Sequence, residues 1–199
     1  MTILPSAYLG SVEYFARLLH GGCVIDTGEH YVKRSERNRA QIMTANGVMP
    51  LTVHLCNANR PRVPVREMRI DYSKRWQHLH RTALMSAYRS TPYFEHYADA
   101  LMPFYEKRFG FLVDYNTELT ALLLRLAHID AELNISERYV ESSPGDCDLR
   151  AKKRESTFVS PEYFQSFGDR FAFVPNLSFA DLLFAEGPSS IDVLRRCRW

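Results

Sequence analysis

Residues 29 to 42, EHYVKRSERNRAQI, gather Lys33, Arg34, Arg37 and Arg39 around two glutamates, a histidine, a tyrosine and an asparagine. Arg37 and Arg39 stand two apart, so on a strand they share a face while Asn38 points the other way. Paired guanidinium forks suit carboxylate or phosphate oxygens, with Lys33 as a further point charge. The same spacing also describes a solvated charged edge. Glu29 could orient His30 as a general base, but only in a loop, because strand neighbours face opposite ways.

A second group lies in RWQHLHRTALMSAY (75–88), where Trp76, His80 and Tyr88 fall along one helical stripe. His80 is then either a general base or a core histidine bonded to a carbonyl. His78 and His80 are not four apart, so a helix cannot chelate a metal with both, and no metal site is expected. Tyr8, Tyr88, Tyr93, Phe94 and Tyr97 could form a sugar or nucleotide face, or a core with polar tips. Phe94 and Tyr97 are assigned to the core; Tyr8 and Tyr93 stay open. There is no G-x-S-x-G, P-loop or G-x-G-x-x-G, and no cofactor is expected. Cys23 reads as a small core hydrophobe, and AKKR (151–154) and RRCRW (195–199) as solvated charge.

Such residues need a scaffold, and 199 residues at 46% hydrophobic suffice for one core. Against 23 Asp plus Glu stand 25 Lys plus Arg, a near balance that argues against nucleic-acid binding. Four cysteines without a C-x-x-C pair point to reduced thiols and the cytoplasm. The N-terminus lacks a basic and apolar leader, and no stretch reaches the ~18 apolar residues of a membrane span.

The pattern predicts a strand at 2–5, a helix from Val12 capped by Ser11 and ended by Gly21, and a strand at 23–26. This opening favours an α/β core with a parallel pair. AQIM (40–43) and MPLTVHL (49–55) flank Asn46-Gly47, a hairpin signal. Residues 56–67 read as a loop, and EMRID (67–71) as a further edge strand. Helices are predicted over 73–90 from Ser73, over 91–102 with Thr91 as cap and Pro92 at the first position, and over 116–129. Residues 141–157 read as a mobile loop. In NLSFADLLFAEGP, Ser178 and Asp181 read as a capping box.

PSAYLGSVEYFARL, EHYVKRSERNRAQIMTANGVMPLTVHL, WQHLHRTALMSAYRSTPYFEHY, DYNTEL and FVPNLSFADLLFAEGP occur in an order that resembles the WbqC-like family, in its Bacteroidetes-type variant. The resemblance implies a cytoplasmic bacterial protein of cell-surface polysaccharide or lipopolysaccharide biosynthesis, acting as a glycine or acyl transferase on amino sugars. Matching positions are Tyr8, Tyr14, Lys33, Arg37, Asn38, Arg39, Trp76, His80, Tyr88, Asn116 and Asp181. The P-x-x-x-x-G turn at 5–10 between strand and helix also resembles nucleotidyltransferase-like folds, but AYLGS lacks their phosphate-steadying histidines.

The expectation is therefore one α/β domain with a mixed sheet and helices packed on it. A nucleotide-linked or free amino sugar is the expected ligand. Lys33, Arg37 and Arg39 would hold its anion, with Tyr8, Trp76, Tyr88, Tyr93 and Asn116 around it. His80, or else His30, would be the general base, and Asn38 would stabilise the oxyanion. A non-catalytic sugar- or nucleotide-binding protein and a nucleic-acid-binding module are the alternatives.

Overall fold

A computed structural model describes residues 1–151 and 156–199. The chain opens with β1 (Thr2–Pro5), α1 (Val12–His20) and β2 (Cys23–Asp26), the two strands parallel and in register from Thr2↔Cys23 to Pro5↔Asp26. The Ser11 hydroxyl accepts the Tyr14 amide at the start of α1, and Gly21 closes it at φ +78°. Two short strands complete the sheet, β5 (Ile135–Ser136) against β2 and β6 (Cys147–Asp148) against β1, both parallel. The order is β5-β2-β1-β6.

The hairpin of β3 (Arg39–Thr44) and β4 (Gly47–Thr52) forms its own antiparallel pair, so parallel and antiparallel pairings occur in two separate sheets. Thr44 pairs with Gly47, which makes Ala45 and Asn46 the loop, with Gly47 alone at positive φ, +92°. The turn is thus shifted by one residue from the Asn46-Gly47 reading. Residues 67–71 add only isolated bridges, Leu55↔Ile70 and Arg69↔Phe111, and no strand.

Three helix starts differ from the pattern, two of them because a candidate cap is engaged elsewhere. Helix α2 runs Trp76–Tyr88, because the Ser73 amide donates to Asp71 Oδ1 in a turn ahead of it. Helix α3 runs Phe94–Leu101, because the Thr91 hydroxyl and amide both donate to the Tyr88 carbonyl, closing α2 rather than opening α3. Helix α4 runs Leu112–Leu126, four residues earlier than expected. Pro103 falls in a 3-10 turn after α3, Met102–Tyr105. Helices α5 (Phe179–Glu186) and α6 (Ser190–Arg195) end the fold and pack on α1 and on each other.

At α5 the capping box is only half formed. Ser178 caps through its hydroxyl, but Asp181 turns inward, where its carboxylate accepts the hydroxyls of Tyr88 (2.7 Å) and Tyr163 (2.9 Å). Within 141–157, Cys147–Asp148 is β6 and Arg150 is buried, while the expected charge run at 152–154 lies outside the described residues. No helix among the described residues is long and apolar enough to cross a membrane.

Gly28 follows β2 where the backbone of Arg138 and Tyr139 passes so close that a Cβ would sit 2.3 Å from the Tyr139 amide nitrogen. Backbone cannot yield as a side-chain tip can. Gly28→Ala is therefore expected to destabilise the fold by about 2 kcal/mol or more, read from the denaturant midpoint; an unchanged midpoint would show that this crossing is not tight.

Candidate functional site

The carboxyl ends of the parallel strands are held by buried charge. Asp26, the last residue of β2, accepts the Gly28 and Glu29 amides through Oδ1 and the Arg150 guanidinium through Oδ2. Arg150 also holds Asp148 at the end of β6, by Nε to Oδ1 at 2.9 Å. Its carbonyl accepts Arg37 Nη2 at 3.0 Å, and Arg37 forms a two-pronged pair with Glu29 through Nε (2.9 Å) and Nη2. Arg37 Nη1 donates to Ser35 Oγ. Burial pushes the Glu29 carboxyl up to about 7 against the pull of Arg37.

In front of this network opens a cleft of about 380 Å³, bordered by Pro5 at the end of β1 and Leu149 to Ala151 just past β6. The chain leaves β1 toward β2 and β5 on one side and places β6 on the other, so the cleft lies where the strand order reverses. Open parallel sheets bind ligands at that switch point. Arg34 and Arg39 line the cleft, and among the described residues neither has an ion-pair or hydrogen-bond partner; Arg39 Nε is buried without one. Arg34 sits at φ +54°, a conformation costly for a non-glycine residue. Ser35, Gln41 and Asn176 add neutral polar groups. Glu36 is the only carboxylate among the described lining residues. The arrangement can hold an anion in guanidinium forks.

The expected residues divide. Arg39 lies in the cleft with its side chain uncommitted. Arg37 borders the cleft, but Glu29, Ser35 and the Arg150 carbonyl take up its donors. Lys33 is exposed, with Nζ on Asn59 Oδ1 at 2.7 Å. Asn38 is buried and committed, accepting the Tyr31 hydroxyl and donating to the Val53 carbonyl. His30 is exposed, and Glu29 serves Arg37 rather than orienting it. Asn116 is buried and bridges Ser6 Oγ and the Arg37 carbonyl. Tyr88 is held by Asp181 and the Met43 amide, and Tyr93 packs over Gly187.

His80 is elsewhere. Its Nδ1 lies 2.9 Å from the buried Tyr8 hydroxyl, which in turn lies 3.1 Å from that of Tyr105, and Trp76 packs edge-on against the imidazole. Burial, with His54 nearby, drives the His80 pKa down to about 4, against a hydrogen bond to the Thr52 carbonyl. His80 and Trp76 border a groove of about 670 Å³ between α2 and the hairpin that shares no lining residue with the cleft. The first turn of α1 is also occupied, since the Leu177 carbonyl and Asn176 Oδ1 take the Val12 and Glu13 amides. Arg150 and Arg34 were not singled out by the sequence reading as site residues. Arg150 pairs with partners up to 124 positions away, and no spacing reveals that.

The sequence model of the WbqC-like protein family matches residues 6–153. The chain is similar to the uncharacterized protein Rv1507c of Mycobacterium tuberculosis (strain ATCC 25618 / H37Rv), 29% identical over 205 residues covering 84% of this chain and 85% of that protein. No solved structure matches it.

Two outcomes follow from the buried groups. Arg37→Ala strands the buried Glu29 carboxyl and is expected to cost about 3–5 kcal/mol of stability, whereas Arg39→Ala, with no side-chain partner among the described residues, should stay within about 0.5 kcal/mol; equal losses in urea denaturation would refute the contrast. For His80, the unfolded side chain takes up a proton near 6.5 but the folded one only near 4. Protonation therefore favours the unfolded state, and stability is lost as pH falls through that window. The melting temperature of the wild type should drop relative to His80→Phe between pH 6.5 and 4, and a constant difference would refute the buried, neutral imidazole.

Proposed function

The chain belongs to the WbqC-like protein family, and from that membership together with the strand-end cleft we propose that it binds a nucleotide-linked amino sugar through its phosphates. The reaction proposed is transfer of a glycyl or other small acyl group to the sugar amine, in cytoplasmic assembly of a cell-surface polysaccharide or lipopolysaccharide. One observation carries the ligand reading: Arg34 and Arg39 face a concave cleft at the switch point, uncommitted among the described residues. A guanidinium pair there suits the diphosphate of a nucleotide sugar, or the carboxylate of an amino-acid donor. A cleft of about 380 Å³ is of small-molecule size, and a near-neutral chain gives no general attraction for nucleic acid.

A second reading, a binding protein without turnover, is favoured by a separate observation. The bases and oxyanion donor expected for transfer, His80, His30 and Asn38, do not line the cleft. In the transferase reading the proton of the attacking amine would pass to the leaving group or to water.

Titration of the protein with nucleotide amino sugars by calorimetry tests the ligand. Arg39→Ala and Arg34→Ala should each weaken binding at least about tenfold, or 1.4 kcal/mol, with the melting temperature unchanged. Wild-type binding that neither substitution touches would overturn the cleft, and binding without mass transfer from any glycyl or acyl donor would select the second reading.

A further inference from the structure

The start of α2 is electrostatically unusual. Helix N-termini favour negative charge, because their free amides and dipole end are positive. Helix α2 has no acidic residue in its first turn and no side-chain cap, and Lys74 and Arg75 stand immediately before it. Arg81, one turn further along, and Arg108, beyond α3, join them around a pocket of about 280 Å³. Arg81 Nε is buried without a hydrogen-bond partner, and the Arg108 guanidinium rests over the Tyr72 ring, 5.3 Å from its centre. Glu106 is the only carboxylate among the described residues lining this pocket. The four cations and the positive end of the uncapped helix repel one another, Glu106 offsets only part of this, and a bound anion would offset more.

His78 lines both this pocket and the 670 Å³ groove between α2 and the hairpin, so the two adjoin at that side chain. The groove's surface is largely apolar, with Met49, Leu51, Ala83, Ala87 and Leu79 among its walls, the last 63% exposed. A phosphate-like site thus adjoins a largely apolar trough. An inorganic anion would fill the first and leave the second empty.

We propose that the pocket and the adjoining groove together form a binding site for a phosphate monoester bearing an apolar chain, the phosphate at the start of α2 among Lys74, Arg75, Arg81 and Arg108, the chain along the groove. The site shares no residue with the strand-end cleft and does not depend on the function proposed for it.

The test is calorimetric titration with octyl phosphate, inorganic phosphate and octanol. Octyl phosphate should bind at least tenfold more tightly than either of the others. Arg81→Gln combined with Arg108→Gln should weaken it at least tenfold, and Leu79→Asp, an exposed change, should reduce it toward inorganic phosphate; circular dichroism confirms that both variants are folded. Octyl phosphate binding no better than inorganic phosphate, or untouched by the double arginine variant, would overturn the site. Geranyl phosphate and octanoyl-coenzyme A serve as further probes: preference for the first supports the site with a prenyl phosphate as its source. Preference for the second supports it with a carrier thioester. Arg39→Ala should leave octyl phosphate affinity unchanged, which separates failure of this site from failure of the cleft.

Discussion

Two buried arginines organise one end of this molecule. Taking Arg37 and Arg150 out of water is costly, and the cost is offset only where every donor finds an oxygen. Asp26, Glu29 and Asp148 supply those oxygens from the end of β2, the loop beyond it and the end of β6, and the Arg150 carbonyl couples the two arginines. Strands β1 and β6 pair over only two residues, Thr2↔Cys147 and Ile3↔Asp148, too few ladder bonds to place an edge strand firmly. The ion-paired network fixes the position of β6 instead, and with it both walls of the cleft. Arg34 and Arg39 are left facing outward because the inward positions of the basic block are already taken.

The other end of the core is polar in a different manner. Tyr8, His80 and Tyr105 form a chain of neutral groups, and Asp181 is solvated by the hydroxyls of Tyr88 and Tyr163 and by the Gln165 amide. Among the described residues no cation pairs with Asp181, and burial raises its pKa to about 6. A carboxylate ringed by donors can keep its charge, whereas an imidazole among tyrosines and a tryptophan gives its charge up. Trp76, His80, Tyr88, Asn116 and Asp181, which carry the likeness to the family, thus join α2, α4 and α5 to the hairpin and to the turn after β1. In this chain their hydrogen bonds and ring contacts tie those elements together.

Much of the fold was legible in the sequence. Period and caps found β1, α1, β2 and the hairpin, because these depend on neighbours within a turn or two. Helix starts were less legible, since Ser73 and Thr91 have the chemistry of caps but spend it on Asp71 and Tyr88. Asp181 shows the same ambiguity, its place in a capping motif hiding a buried acceptor for tyrosines far away in sequence. In the candidate site, the basic block was visible, but the division of labour inside it was not. Arg37 and Arg39 differ only in what lies opposite, Glu29 in one case and an open cleft in the other. Arg150, in a stretch with the composition of a loop, is fixed by Asp26, 124 positions earlier.

The hairpin sets a limit on any chemistry assigned to the molecule. By the β3–β4 register, Arg39 and Gln41 project to one face of the pair, whereas Met49 and Leu51 project with Ala40 and Ile42 to the other. Arg39 and Gln41 line the cleft; Met49 and Leu51, with Pro50 and Thr52 from the other face, line the groove that holds His80. The cleft and the groove share no lining residue, and the hairpin's buried Ala40, Ile42 and Leu51 belong to the core. Proton transfer needs heavy atoms within about 3.2 Å or one bridging water, and closing that gap would require the hairpin to leave its seat on α2. The cost of exposing those buried side chains opposes such a movement. Any base that serves a ligand in the cleft must come from the cleft's own side chains, from the substrate, or from solvent. His80, buried against Tyr8 and Trp76, borders the groove and does not line the cleft where Arg34 and Arg39 stand.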